Sequence, residues 1–250
     1  MSGRSEAYYP GCSGRTTDRA YVETSLFVLR KLGLNPRLLE ELPCCGTLEG
    51  ELYSRELVRR LVSLINREAG GRVITGCSGC YSTINRNGGI AIHLVDFLVR
   101  EVGLEEISSR VVRRLNARVA PYYGCLALRP RSLSIDDPED PSVLESLLSL
   151  TGADPVDFPM RTKCCGGPLV LREPDAAVRM ARSVVTSAKS SGAEVMATMC
   201  NLCHFMLDFY TSELPVVHFT QLLAYSMGMP VEELGLGELF NPPPLRMFGK

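Results

Sequence analysis

Ten cysteines fall into two copies of one pattern, and they are the residues of this chain best suited to chemistry. Each copy reads as a lone cysteine, then an adjacent pair followed by glycine, then a CxxC. The first copy consists of Cys12, Cys44, Cys45, Cys77 and Cys80, and the second of Cys125, Cys164, Cys165, Cys200 and Cys203. No cysteine lies outside the two copies, so the pattern indicates a group in each half that needs five thiolates.

Thiolates of this kind select soft metals, such as zinc and copper(I), or iron–sulfur clusters. Structural zinc sites are tetrahedral and closed at four ligands, which would leave one cysteine over in each half. Disulfides suit short secreted chains. Cys44 and Cys45 are also poor partners for each other, because consecutive Cα atoms lie about 3.8 Å apart and bridges prefer about 5.5 Å. The pattern favours iron–sulfur clusters over zinc, and zinc over disulfides.

Short apolar runs predict the strands that deliver these cysteines. Each run ends close to a lone cysteine or to the first cysteine of a CxxC. The runs span residues 7–9, 73–75, 118–123 and 195–198, and the cysteines that follow them are Cys12, Cys77, Cys125 and Cys200. Ligands of parallel sheets bind beyond the carboxyl ends of the strands, where these cysteines are expected.

Helical patterns alternate with the strands and predict the covering layer. In the first half, helices are expected from about residue 17 to 33, from 51 to 68 with Leu57, Leu61 and Leu64 on one face, and from 94 to 100. In the second half, Asp140 with Pro141 predicts a helix start, as cap and first-turn proline, and Glu173 with Pro174 predicts another.

The alternation of strands and helices predicts an α/β fold with two pseudo-symmetric halves, each a small parallel sheet covered by helices in the manner of a Rossmann-like domain. Equivalent residues of the two copies lie 113 to 125 positions apart, as an internal duplication with small insertions requires. We therefore expect two cluster-binding domains, residues 1–117 and 118–250.

Composition excludes several functions. With 27 basic and 28 acidic residues the net charge is −1, which argues against a nucleic-acid partner. There is no apolar run long enough for a direct membrane span, and the first ten residues lack the apolar core of a signal peptide, so a cytoplasmic location is expected. The absence of a GxGxxG motif predicts no flavin or nucleotide on this chain.

Two histidines are candidate proton donors. His93 and His218 hold equivalent positions at a predicted strand end and helix start, and histidine titrates near neutral pH. The alternative is a structural histidine that caps its helix. His204 directly follows Cys203, which suggests a contact behind the cysteines.

Other segments leave alternatives open. Residues 126–139 form an insertion found only in the second half, either a lid or partner contact or a plain solvated loop. The tail, residues 241–248, reads as an extended arm, disordered or docked on a partner. Four arginines are candidates for binding an anionic substrate or simply lie on the surface: Arg129, Arg131, Arg161 and Arg172.

The motifs YYPGC, YYGC, DDPEDP, TKCCGGPL and HFTQLL, together with the doubled cysteine pattern, resemble the B subunit of heterodisulfide reductase, from the cysteine-rich CCG-domain family. The resemblance runs from about Tyr8 to Gly228. It implies one noncubane [4Fe-4S] cluster in each half, held by that half's five cysteines. It also implies that the two clusters face a cleft where a mixed disulfide binds, either CoM-S-S-CoB or an analogous one.

The implied activity is that of an oxidoreductase: the catalytic subunit of an archaeal-type complex that reduces the disulfide to two thiols. Cleavage takes two electrons and a cluster normally passes one, so two clusters flanking the bond can each take one sulfur. Electrons would come from a C-like iron–sulfur protein of the complex, itself supplied by an A-like flavin protein. The alternatives are a heterodisulfide reductase-like subunit in sulfur oxidation, a non-catalytic electron-transfer subunit of a dehydrogenase, or a zinc-stabilised module.

Overall fold

The computed structural model describes residues 6–47 and 49–249 and contains two parallel four-stranded sheets. The strands of the first sheet are β1 (Ala7–Tyr8), β2 (Arg37–Leu38), β3 (Val73–Thr75) and β4 (Ala91–His93). Those of the second are β5 (Arg118–Tyr122), β6 (Asp154–Pro155), β7 (Val195–Thr198) and β8 (Val216–His218). The strand orders, β2-β1-β3-β4 and β6-β5-β7-β8, are equivalent, which confirms the predicted α/β class and the pseudo-symmetry.

Helices fill the connections between the strands. In the first half they are α1 (Gly11–Gly14), α2 (Arg19–Lys31), α3 (Glu49–Tyr53), α4 (Arg55–Ala69), α5 (Ser78–Arg86), α6 (Leu94–Asp96), a π-helical segment (Phe97–Val102) and α7 (Leu104–Ser109). In the second half they are α8 (Val143–Leu150), α9 (Pro174–Ser190), α10 (Asn201–Phe209) and α11 (Phe219–Ser226). Short 3₁₀ segments span Arg131–Leu133, Gly167–Leu169, Val231–Glu233, Leu236–Glu238 and Leu245–Phe248.

Two helix predictions were wrong in detail. The helix expected over residues 51–68 is divided at Ser54, whose side chain caps α4 by accepting from the Leu57 N–H. Leu57 is half exposed, and the face that packs inward is instead Val58, Val62 and Ile65. These β-branched residues have the same spacing of four and three positions as the leucines, so the hydrophobic pattern alone does not distinguish the two faces.

The start of α8 also differs from the expectation at Asp140–Pro141. The helix begins at Val143, and the carboxylate of Asp136 accepts hydrogen bonds from the N–H groups of Ser142 (2.6 Å) and Val143 (2.7 Å). A cap supplied from six residues upstream cannot be recognised by local helix-start rules. Asp140 instead pairs with Arg161.

The two halves share their cores. α2 of the first half packs on α11 of the second, and the hydroxyls of Thr24 and Thr220 hydrogen-bond at 2.8 Å across that contact. Both hydrophobic clusters contain residues from each half. The domain boundary between residues 117 and 118 stays a prediction.

The tail prediction was wrong, since the described part of the tail packs on its own chain. Met247 and Phe248 are buried, and the Tyr225 hydroxyl donates to the Phe248 carbonyl at 2.6 Å.

The insertion over residues 126–139 is also anchored: the Tyr81 hydroxyl donates to the Leu133 carbonyl at 2.9 Å, and Arg100 donates to the Ile135 carbonyl at 2.9 Å. These bonds run from the first half to the second. Of the residues at the chain start used to argue against a signal peptide, 1–5 lie outside the described part.

Candidate functional site

Each central strand is followed by one of the four cysteines predicted there, Cys12, Cys77, Cys125 and Cys200. Cys77 follows β3 and is the N-terminal cap residue of α5, and Cys200 holds the same position between β7 and α10. Both helices therefore direct their N-terminal N–H groups and the positive ends of their dipoles toward the thiols. Threonines fix the two turns identically, because Thr75 and Thr198 accept from the N–H of Cys77 and Cys200, each at 3.4 Å.

Two glycines allow the lone-cysteine loops to approach the CxxC. Gly11 and Gly124 have φ values of +72° and +67°, in the left-handed region. A Cβ at Gly11 would lie 3.1 Å from the Cys80 sulfur, and one at Gly124 would lie 3.1 Å from the Cys203 sulfur. Only glycine meets both requirements without displacing a thiol.

Matched hydrogen bonds support the adjacent pairs. Tyr9 and Tyr122 are buried, and their hydroxyls donate to the carbonyl oxygens of Pro43 (2.6 Å) and Lys163 (2.7 Å), immediately before each CC. The following glycine N–H groups each donate to the first sulfur of their pair at 3.4 Å. The sequence motifs contain both tyrosines, each three residues before a lone cysteine, but predict no contact for their hydroxyls.

All ten cysteines are free thiols, and neighbouring thiols influence one another in one unbroken series. The Cys45 and Cys80 sulfurs, for example, are 3.4 Å apart. The series passes from one half to the other beside Cys77 and Cys200, where the Ser78 hydroxyl donates to the Met199 carbonyl at 3.5 Å. Its order is Cys12, Cys44, Cys45, Cys80, Cys77, Cys200, Cys203, Cys165, Cys164 and Cys125.

This crowding spreads the thiol pKa values apart. The contact with Cys200 is the largest cause that raises the pKa of Cys77, and burial adds to it. At the other end, hydrogen bonding from Cys125 and then Cys165 lowers the pKa of Cys164 to about 3. Thiolates this close repel one another, so the ten cannot all ionise unless a cationic group lies among them.

The series opens to solvent at both ends. Cys12 is exposed, and Cys44, Cys125 and Cys164 are partly exposed, whereas the other six cysteines are buried. A cavity of about 50 Å³ lies against four of the first five cysteines, all but Cys44, and Asn201 and Leu202 of the second half close its wall. We call the five thiols of each half a nest: Cys12, Cys44, Cys45, Cys77 and Cys80 in the first half, and Cys125, Cys164, Cys165, Cys200 and Cys203 in the second. The two nests therefore meet in the interior and reach the surface at their outer ends.

Larger cavities with cationic residues adjoin both outer ends. One, of about 410 Å³, includes Cys164 with Lys163 and Arg179. The other, of about 510 Å³, runs along α2 and is lined by Pro10 and Gly14, two residues on either side of Cys12. Its charged lining residues are Arg15, Arg19, Arg30, Glu23 and Glu40.

His93 and His218 are buried helix caps. The Nδ1 of His93 accepts from the Val95 N–H at 3.2 Å, so the neutral ring carries its proton on Nε2, which lies 3.2 Å from the Met199 carbonyl oxygen. Burial lowers the pKa of His93 to about 4. Nδ1 of His218 accepts from the Thr220 N–H at 3.5 Å, and burial lowers its pKa as well. Their proton-donor role stays a prediction.

His204 forms a buried pair with an acid of the first half. Its Nδ1 lies 3.1 Å from an Asp18 carboxylate oxygen. Burial acts to lower the pKa of His204, but the charge and hydrogen bond of Asp18 outweigh it, so that pKa is raised. The sequence signal for this contact was only the position of His204 after a cysteine.

The four arginines proposed for anion binding differ in their partners. Arg161 is held by Asp140, Asp157 and Glu145, so its charge is neutralised within the protein. Arg129 faces Glu139 at 3.5 Å. Arg131 and Arg172 are exposed. In the described part of the chain, none of the four lines the cavities beside the cysteines.

The donor set of each half fits an iron–sulfur cluster. Four of the five first-half thiols line one cavity, backbone N–H groups reach a sulfur of each adjacent pair, and a glycine in each half keeps the approach to its CxxC clear. Within residues 6–47 and 49–249, no three or more His, Cys, Asp or Glu side chains are arranged to hold a single metal ion.

The chain belongs to the family of cysteine-rich CCG domains. Two copies of the family pattern match, over residues 6–85 and 119–208, and they contain all ten cysteines. The predicted duplication and family resemblance are thus confirmed.

The chain is similar to several curated proteins over more than half of its length. It is 28% identical to the 8-methylmenaquinol:fumarate reductase membrane anchor subunit of Wolinella succinogenes, over 92% of this chain and 94% of that protein. It is 26% identical to a protein of Archaeoglobus profundus named as like the B subunit of heterodisulfide reductase, over 87% and 89%. It is 29% identical to the B subunit of the ferredoxin/F(420)H(2)-dependent CoB-CoM heterodisulfide reductase of Methanosarcina acetivorans, over 58% of this chain and 52% of that relative.

A solved structure shares the fold. A hypothetical protein from Helicobacter pylori superposes with a TM-score of 0.69 at 10% identity, over 98% of this chain and 53% of that one. Among the described helices, none is both long and apolar enough to cross a membrane.

Proposed function

We propose that this chain is the catalytic iron–sulfur subunit of a heterodisulfide reductase-type complex and reduces a mixed disulfide to two thiols. The observation that carries the proposal is the meeting of the two matched sets of five cysteines, since residues of the second CxxC segment line the cavity that holds Cys77 and Cys80. Breaking a disulfide takes two electrons. Carriers that each transfer one electron can supply both if one carrier lies in each half, close to where the halves meet. Relatives named for the B subunit of heterodisulfide reductase support the substrate class.

In this proposal each nest holds one noncubane [4Fe-4S] cluster through its five cysteines, and the cluster supplies single electrons when bound. The protein's own residues hold the sulfurs in place: Tyr9 and Tyr122 fix the adjacent cysteine pairs, and Gly11 and Gly124 keep the space beside Cys80 and Cys203 open. The overall reaction takes two electrons and two protons, breaks the S–S bond and leaves an S–H on each product.

The cavities at the outer ends of the series suit a substrate with anionic groups. Lys163 and Arg179 lie beside Cys164, and the groove lined by Pro10 and Gly14, near Cys12 in sequence, carries three arginines and two glutamates. A disulfide with a sulfonate, carboxylate or phosphate on each arm would find a cation near each nest. This favours CoM-S-S-CoB or an analogous anionic disulfide.

The reaction needs a source of electrons outside this chain. All ten cysteines are used in the two nests, so the electrons come from other proteins: a C-like iron–sulfur protein of the complex, itself supplied by an A-like flavin protein. The chain works in a reducing, cytoplasmic environment, where thiols remain free. A heterodisulfide reductase-like subunit in sulfur oxidation, with the same clusters and a different substrate, is the related alternative.

A second candidate is an electron-transfer component of a dehydrogenase. The observation that favours it is the likeness, over nearly the full length of both chains, to a protein named as part of 8-methylmenaquinol:fumarate reductase. Such a component would bind the same clusters and leave disulfides intact.

One experiment separates the two candidates. The protein is purified anaerobically, its clusters are reduced, and a mixed disulfide of coenzyme M and coenzyme B is added while paramagnetic signals and free thiols are followed. Our proposal predicts a substrate-dependent cluster signal and two thiols per disulfide consumed. Loaded clusters with neither response would refute it and favour the electron-transfer role. Replacing Lys163 and Arg179 with glutamine should weaken disulfide binding, while glutamine at the exposed Arg172 should not.

A further inference from the structure

Asn201 lies at the junction of the two halves. It is the first residue of α10 and sits inside the second CxxC, between Cys200 and Cys203. Its side chain is only 1% exposed. It nevertheless lines the cavity of about 50 Å³ whose other walls come largely from the first half. A Cβ at Gly14, in the first half, would lie 3.4 Å from its amide nitrogen.

The Asn201 amide is unsatisfied by the protein. Neither its Oδ1 nor its Nδ2 has a hydrogen-bond partner among the residues that the structure describes. Leaving a buried polar group unpaired costs about 1–3 kcal/mol, so buried amides in folded proteins are paired. The walls of the cavity that Asn201 enters carry four first-half cysteines: Cys12, Cys45, Cys77 and Cys80.

The matched residue of the first copy shows what an ordinary structural role looks like. Ser78 holds the position equivalent to Asn201 in its own CxxC. Its hydroxyl has partners within the protein, the ring Nε2 of His93 at 3.3 Å and the carbonyl of Met199 at 3.5 Å. The two halves therefore differ at this position. Ser78 is hydrogen-bonded within the protein, whereas the unpaired amide of Asn201 lines the cavity that holds the cysteines of the other half.

We propose that the amide of Asn201 donates a hydrogen bond to a sulfur of the cluster held in the first-half nest, across the junction between the halves. This rests on the proposed function, because it requires a cluster there. An N–H donor stabilises the more negative, reduced form of a cluster, and hydrogen bonds to sulfur tune cluster potentials. Through this direct contact Asn201 makes the first-half cluster easier to reduce than it would otherwise be.

An unequal pair has a consequence for a two-electron reaction. If the first-half cluster holds the electron more firmly, the two nests are not interchangeable. The two arms of an unsymmetrical disulfide would then meet clusters of different potential. A single residue at the junction can create this difference without altering either set of five thiols.

The test uses variants that change the donor and keep the site filled. Asn201→Leu removes the N–H, Asn201→Ser retains a shorter O–H donor, and Asn201→Asp replaces the amide with a negative charge. Ser78→Ala is the matched control. Iron and sulfide per chain are measured first, and both cluster midpoints are then followed by paramagnetic resonance during a redox titration. Cys12→Ser and Cys125→Ser identify which signal belongs to which half.

We expect Asn201→Leu to lower only the first-half midpoint, with a roughly tenfold change in the reduced-to-oxidised ratio at fixed potential, or about 59 mV for one electron. Asn201→Asp should lower it further, Asn201→Ser should restore part of the shift, and Ser78→Ala should leave both midpoints in place. If Asn201→Leu fails to load iron, the Ser and Asp variants carry the test.

An unchanged first-half midpoint in fully loaded variants would overturn the inference and would mean that the amide is bonded to water only. A shift of both midpoints together would also overturn it, as a general structural effect. Failure of the cluster assignment would show differently, as a wild-type protein without iron or sulfide, and the inference would fall with it. Loaded clusters that leave the disulfide intact would refute the proposed disulfide reduction alone.

Discussion

Replacing Gly11 with alanine tests whether the cysteines of the first half act as one ligand set. At φ +72° an alanine occupies the left-handed region, which costs about 1–2 kcal/mol. In addition, its Cβ would lie 3.1 Å from the Cys80 sulfur, which must move by a few tenths of an ångström. Gly33 provides the control, because its φ is +76° and an added Cβ meets nothing within 4 Å.

The two variants should therefore lose similar stability and differ in metal binding. We expect both Gly11→Ala and Gly33→Ala to lower the free energy of unfolding of the metal-free protein by about 1–2 kcal/mol. With the cluster loaded, only Gly11→Ala should release iron faster to a chelator, roughly tenfold, since disturbing the support of a metal ligand typically costs 10–100-fold in affinity.

The assay combines denaturant unfolding of the metal-free proteins with iron release followed by absorbance. Gly124→Ala should repeat the result in the second half, since its Cβ would lie 3.1 Å from the Cys203 sulfur. Equal iron release from Gly11→Ala and Gly33→Ala would refute the reasoning, because the contact with the CxxC sulfur would then have no bearing on metal retention.

Three further predictions concern the surroundings of the site. Tyr122→Phe removes the donor to the Lys163 carbonyl and should lower the free energy of unfolding by about 1–2 kcal/mol in a denaturant titration; no change would contradict that bond. The pKa of His93 is lowered to about 4 by burial, so stability should be full above about pH 6.5 and fall by about 3 kcal/mol as the pH drops toward 4. His93→Asn, which retains a cap, should flatten this dependence in urea midpoints measured against pH, and an unaltered slope would count against it. Phe248→Ala should cost about 3 kcal/mol and Phe240→Ala less than about 1, because the first ring is 3% exposed and the second 66%; equal losses would contradict the packed tail.

The sequence was sufficient for the repeated plan of the molecule. Strands before Cys77 and Cys200 were predictable because short apolar runs end at a turn, and each strand delivers its cysteine to the carboxyl edge of its own sheet. Because the two halves repeat the same cysteine pattern, a structure predicted for one half also applied to the other. These features depend on local pattern and on repetition, which a single sequence contains.

Features set by distant contacts escaped prediction. Asp136 caps α8 from upstream, and Phe248 returns to the core from the end of the described chain, where proline-rich composition suggests an arm. The unpaired amide of Asn201 could not be recognised either, because its meaning depends on the other half lying against it. The composition of a short segment does not indicate which distant residues it will contact in the fold.

The central claim is that each set of five thiols holds one iron–sulfur cluster, and metal analysis of anaerobically purified protein tests it most directly. Two [4Fe-4S] clusters correspond to about eight irons and eight sulfides per chain. The account predicts that content, with zinc well below one per chain and with roughly half of the iron lost in Cys125→Ser. About two zinc ions per chain and no acid-labile sulfide would contradict it, and would assign the cysteines to structural sites instead.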